Sequence, residues 1–188
     1  DQVRMNPPSS DLIEPSGPTD PEIVFISVQA LDGRPIALMA NYSLHYVGGV
    51  PEGHISADYF GMFSERIGEL IGARAGGPPF VGLLSNGTSG DINNIDVRAK
   101  RVARAPYEKM RIVANKVAAE VYRVYQSVPH RDWVPLDARF EEFEVGSRKP
   151  PPEMVARATE ILARLPGKPL WHERESTYAR RVLDMEKA

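Results

Sequence analysis

The chain has 188 residues, enough for one ordinary domain with a sizeable core or for part of a larger one. With 42% apolar residues, 26% charged residues and a net charge of -2, nothing in the overall charge favours nucleic acid as a general partner. The absence of cysteine excludes a disulfide framework, a thiolate zinc site and a cysteine nucleophile, so a metal here would need His, Asp, Glu or Tyr as ligands.

Residues 1–20 contain Pro7-Pro8-Ser9-Ser10 and Pro15-Ser16-Gly17-Pro18. They are expected to form a Pro-rich loop, because proline neither continues a helix nor donates to a strand ladder. No charged-then-apolar leader opens the sequence, so no signal peptide is expected, and no apolar stretch reaches the roughly 20 residues that span a bilayer. A start at Asp1 fits a processed or truncated product.

Residues 22–30 (EIVFISVQA) and 36–44 (IALMANYSL) are apolar runs separated by Leu31-Asp32-Gly33-Arg34-Pro35. Turn chemistry between two such runs predicts an antiparallel hairpin. Ser56 is then a candidate N-cap, with Asp58 in the first turn where a negative charge suits the helix dipole. Phe60, Phe63, Ile67 and Leu70 or Ile71 recur at three-to-four spacing and predict an amphipathic helix ending near Gly72. Residues 80–84 (FVGLL) read as a buried strand, so residues 36–84 form a strand-helix-strand unit.

A right-handed crossover makes the two strands of such a unit parallel, which puts their carboxyl ends on one edge of the sheet, where ligands bind in open α/β sheets. His45 follows the first of these strands and Gly87-Thr88-Ser89-Gly90-Asp91 follows the second.

Downstream, the basic residues of 98–104 could meet phosphates or an anionic lipid surface, but read first as a solvated entry to the next helix. Met110, Val113, Val117, Val121, Val124 and Val128 predict a long amphipathic helix from about Pro106. Residues 136–145 alternate imperfectly and predict a charged edge strand. Pro150-Pro151-Pro152 opens a helix through Leu165, and a last helix starts near Ser176. The expected fold is α/β, a mixed sheet in which an antiparallel hairpin feeds a strand-helix-strand crossover, followed by mostly helical segments. It is read as a single partial α/β domain over residues 1–188, with a helical C-terminal segment at 149–188.

Among four histidines, His45 stands at the expected ligand edge, where a neutral imidazole nitrogen can bind zinc if another group holds the second nitrogen. A hydrogen-bonded structural histidine is the alternative. His54, in a Gly-containing loop, would line the same pocket, whereas His130 and His172 read as surface or structural. In residues 86–94 (NGTSGDINN) small residues let backbone N–H groups come close to a ligand or an oxyanion. Asp91 can bind a metal, orient water or act as a base there, or simply close the turn. Neither a GxxxxGK[ST] loop nor a GxSxG elbow occurs, which disfavours nucleotide binding and ordinary serine hydrolysis. Asn41-Tyr42-Ser43 and Asn86-Gly87-Thr88 fit the glycosylation sequon, and their places at strand ends near the expected site favour chance matches.

Over about its first half the chain resembles the neutral/alkaline non-lysosomal ceramidase family, in particular shorter bacterial relatives of its N-terminal catalytic domain. Asp20-Pro21-Glu22 and the hairpin with Asp32-Gly33-Arg34-Pro35 are similar to the stretch leading to a metal-binding histidine, which falls on His45. Ser56-Ala57-Asp58-Tyr59 is similar to the family's Ser-Gly-Asp segment, and Gly90-Asp91-Ile92-Asn93 to its Gly-Asp-Val-Ser-Pro-Asn motif. The resemblance implies a zinc-dependent hydrolase acting on an N-acyl amide bond of a lipid-like or small-molecule substrate, in a periplasmic or secreted setting. It implies His45 and Asp58 at the metal, Asp91 and Asn93 in catalysis, and Gly90, His54 and Arg4 against substrate.

The departures are specific. Asn93 stands where the family has its nucleophilic serine and cannot act as one, so the attacking group would be zinc-bound water. Catalytic zinc takes three protein ligands as a rule, and the family's remaining ligands have no counterpart here. The site therefore needs further sequence or another chain, and zinc is expected to bind this chain weakly or not at all. The competing readings are a non-catalytic ligand-binding module on the same scaffold, and an unrelated α/β domain in which His45 and Asp91 satisfy local hydrogen bonds.

Overall fold

A computed structural model describes residues 10, 12–73, 78–90, 92–100, 102–164 and 174–187. The chain divides into two compact units, 1–134 and 135–188, where the sequence suggested one partial domain. The first unit carries the α/β fold and the second is helical.

In the first unit, β1 (Ile23–Gln29) and β2 (Pro35–Tyr42) pair antiparallel, from Ile23 opposite Tyr42 to Val28 opposite Ala37. The expected turn closes them. Gly33 adopts φ +84°, and the Ala30 N–H donates to the Arg34 carbonyl at 2.8 Å, while the Asp32 carboxylate accepts the Arg34 N–H at 3.0 Å. After α1 (Asp58–Leu70), β3 (Val81–Asn86) lies parallel to β2, from Ala37 opposite Val81 to Tyr42 opposite Asn86. The sheet order is β1-β2-β3, the mixed hairpin-plus-crossover arrangement expected.

Helix α2 (Glu108–Tyr125) packs with α1, and both lie on one side of the sheet. Between them sits a core of Leu38 and Ala40 from β2, Tyr59, Phe63 and Ile67 from α1, and Met110, Ala114, Val117, Ala118 and Val121 from α2. The approach of α1 to β3 is close enough to require glycine at Gly82. A Cβ there would lie 2.7 Å from the Ser64 carbonyl oxygen.

The opposite sheet face is different. Val24, Ile26, Val28, Met39, Val81 and Leu83 are each 46–69% exposed within this chain, an apolar and uncharged surface. A two-residue period therefore alternates covered apolar with uncovered apolar side chains, which is why the strands read from sequence as continuously apolar.

Three expected boundaries are corrected. Ser56 is not the cap of α1. The helix starts at Asp58 after Ala57, and the Ser56 hydroxyl accepts the Asp58 N–H at 3.0 Å. The second helix begins at Glu108, not at Pro106, because Tyr107 turns left-handed at φ +64° and gives its N–H to the Gly49 carbonyl. That helix stops at Tyr125 with Val128 outside it, since Pro129 disfavours helical backbone in the residue before it.

The second unit holds α3 (Pro152–Ala163) and α4 (Glu175–Lys187), which pack on each other through Ala158 and Ala179. An Arg164–Glu175 ion pair of 3.1 Å joins them, with Glu175 only 8% exposed. Residues 136–145 form no ladder, correcting the expected strand. Leu136, Phe140, Phe143 and Val145 are all strongly exposed, and alternation makes a strand only where a neighbouring edge accepts the backbone. Among the described residues no helix is long and apolar enough to cross a membrane.

Candidate functional site at the carboxyl edge of β2 and β3

The parallel ladder continues one step past its strands, the Gly87 N–H donating to the Tyr42 carbonyl at 3.1 Å. Glycine is needed for that approach, since a Cβ on Gly87 would lie 2.5 Å from the Ser43 hydroxyl and 2.9 Å from Asn41 Oδ1. Both of those side chains are engaged. Asn41 Nδ2 donates to Ser85 Oγ at 2.8 Å, and the buried Ser43 hydroxyl donates to Asp20 Oδ2 and meets Thr88 Oγ1, both at 3.3 Å. The sequon residues Asn41 and Ser43 thus serve the sheet edge.

Beyond the strand ends the two loops are tied together. The His45 N–H donates to the Ile92 carbonyl at 3.1 Å, and Asn94 Nδ2 donates to the Tyr46 carbonyl at 3.1 Å. The half-buried His45 ring lies against that of Tyr46 with centroids 4.2 Å apart. The structure thus brings His45 beside the loop of Gly90 and Asn93. In that loop the Ile92 N–H bonds the Ser89 carbonyl, and Asn93 Oδ1 accepts the Asn94 N–H at 2.8 Å. Asp91 and Arg4, expected in catalysis and substrate binding, lie outside the described residues, as does His172.

Asp58 faces the backbone of the loop after His45. Its Oδ1 accepts the Val47 N–H at 2.9 Å and the Tyr59 N–H at 2.7 Å, and its Oδ2 accepts the Gly48 N–H at 2.8 Å. These bonds use both carboxylate oxygens. His54 is exposed, with Nδ1 2.7 Å from the Tyr107 hydroxyl and the two rings stacked. Gly48, Gly49 and Gly53 all take positive φ, so the loop between His45 and His54 follows a path that other residues resist. His130, read as surface or structural, bonds Ser27 Oγ through Nε2 at 3.1 Å.

Among the described residues no three His, Asp or Glu side chains converge as metal ligands, so these residues alone do not fit a zinc centre.

Tyr59 and Tyr107 were not singled out from the sequence. Tyr59 is fully buried and donates its hydroxyl to the Leu44 carbonyl at 2.7 Å. Burial, then the Asp58 charge and Tyr42, push its pKa far above the ordinary tyrosine range. The neutral hydroxyl's contribution is therefore complete below about pH 10, the unfolded value, and declines above it by about 1.4 kcal/mol per pH unit. Tyr59→Phe is expected to cost about 1 kcal/mol at pH 7 and to remove that part of the alkaline slope. Urea unfolding of both proteins from pH 7 to 11 checks this, and parallel slopes would contradict it.

Compared with known proteins, the chain matches no family model, no curated protein and no solved structure.

Proposed function

We propose that this chain contributes part of the active site of a zinc-dependent hydrolase that cleaves an N-acyl amide, with His45 as one metal ligand. The observation that carries this reading is the hydrogen bond from the His45 N–H to the Ile92 carbonyl. It joins the two loops that leave the carboxyl ends of parallel strands, the edge at which α/β sheets bind ligands. In this reading Gly90 leaves room for the substrate, Asp91 handles a proton or a water, and Asn93 holds the loop and the substrate by hydrogen bonds. His54 with Tyr107 forms an outer wall for a lipid-like or small acyl chain. The remaining zinc ligands come from further polypeptide, in the same chain or another.

A second reading has its own support. Asn93 spends its carbonyl oxygen on the Asn94 N–H, a structural use of the position at which the resembled family has a nucleophile. A binding module that retains an N-acyl amide without cleaving it would need no more. The experiment that separates the two incubates the native protein with a fatty-acyl amide, with and without a chelator. Chelator-sensitive release of fatty acid supports the hydrolase, and retention of the intact amide without release sinks it.

A further inference from the structure

Three residues, His45, Tyr46 and Val47, separate Leu44 from Gly48. One dipeptide at the start of α1 grips both ends of that segment. Tyr59 takes the Leu44 carbonyl through its hydroxyl, while the Asp58 carboxylate takes the Val47 and Gly48 N–H groups. Asp58 does so from φ +53°, a left-handed conformation uncommon for any residue but glycine. Such an outlier persists only where the surroundings over-determine it, and outliers of this kind cluster at functional sites. Here the surroundings are visible. The same carboxylate also accepts the Tyr59 N–H, and the Ser56 hydroxyl accepts that of Asp58. The third side of the grip comes from the other loop, through the His45 N–H on Ile92 and the Asn94 amide on the Tyr46 carbonyl.

We infer that Asp58 and Tyr59 are positioning residues for His45, a two-point clamp that fixes the backbone on either side of the histidine so that its imidazole keeps one orientation beside the 86–94 loop. The role of the clamp at the metal rests on the hydrolase reading, whereas the clamp itself does not. A carboxylate directed at two successive N–H groups gains charge-assisted bonds that a neutral acceptor does not match. The tyrosine hydroxyl, fully buried, has the Leu44 carbonyl as its acceptor.

Asp58→Asn isolates the carboxylate, since asparagine tolerates the left-handed backbone but places an N–H₂ against one of the two amides. Tyr59→Phe is the second variant. It removes the bond to Leu44 and keeps the buried ring. Both are compared with the native chain by amide hydrogen exchange and by the NMR cross-peak of the His45 ring, with zinc chloride as the metal probe.

In Asp58→Asn, exchange at Val47 and Gly48 is expected to rise about tenfold or more. The decisive amide is that of His45, which bonds Ile92 and not Asp58, and which is expected to open with them. Tyr59→Phe is expected to open His45 while leaving Val47 and Gly48 protected. In both variants the His45 ring cross-peak shifts or broadens and Val117 in the core stays protected. If the ring cross-peak and the His45 amide are unchanged while Val47 and Gly48 open, Asp58 is a local cap and the inference is overturned. It is equally overturned if Val47 and Gly48 keep their protection in Asp58→Asn. The clamp is judged by the exchange data and the ring cross-peak alone, because zinc is expected to bind this chain weakly or not at all; a native His45 cross-peak that shifts with zinc chloride adds support for the metal reading.

Discussion

Phe63→Ala is expected to lower the unfolding free energy of the first unit by about 3–5 kcal/mol. Phe63 is completely buried in the layer between the sheet and α2, among Leu38, Ile67, Met110 and Val121. Its removal withdraws an aromatic side chain from a close-packed interior that cannot collapse fully around the gap. Against a total stability of about 5–15 kcal/mol for a natural domain, the loss takes about a fifth at the least.

The consequence reaches the candidate site, because α1 is also the element from which Asp58 and Tyr59 hold the His45 segment. The control is on the other side of the same sheet. Ile26 is 69% exposed, so Ile26→Thr is expected to stay within about 0.5 kcal/mol of the native chain. Urea unfolding followed by circular dichroism measures both. Similar losses for the two substitutions would mean that the uncovered face is in fact buried in solution.

What could be read from the sequence was what depends on local chemistry and on chain topology. Asp32-Gly33 announced the hairpin because the turn needs a left-handed residue there, and Gly33 supplies it. The meeting of His45 with the 86–94 loop followed from a parallel crossover, with no contact information at all. What escaped depends on distant partners. Residues 136–145 have the alternation of a strand, but a strand is a property of a pair.

The left-handed turns at Asp58 and Tyr107 escaped for a related reason. Neither residue type demands φ above zero, and each is held there by hydrogen bonds to a loop roughly ten to sixty residues earlier in sequence. Tyr59 stood outside the apolar stripe read from Phe60, Phe63, Ile67 and Leu70 or Ile71. Its hydroxyl has a task only once Leu44 has been folded against it.

The expectation that bears most on function is His45→Ala. The substitution removes an imidazole and keeps the backbone N–H that bonds Ile92, so the junction between the two loops survives it. Stability is expected to fall by only about 1 kcal/mol, the centre of the range for single substitutions, since the side chain is partly buried and its backbone bond is kept. Activity is expected to respond far more strongly. Loss of an outer partner of a metal ligand already costs 10- to 100-fold, so on the proposed hydrolase reading, with His45 as a ligand, the substitution lowers chelator-sensitive acyl release by about 100-fold or more.

The two quantities therefore separate the meanings of this histidine. A large loss of release with so small a change in stability is the signature of a group that meets the metal. A loss of several kcal/mol with residual release tracking the folded fraction would make His45 a packing residue, with the Tyr46 ring as its principal neighbour. Full release from a stable variant would remove His45 from the chemistry altogether, and with it the reason for reading this sheet edge as part of a hydrolase.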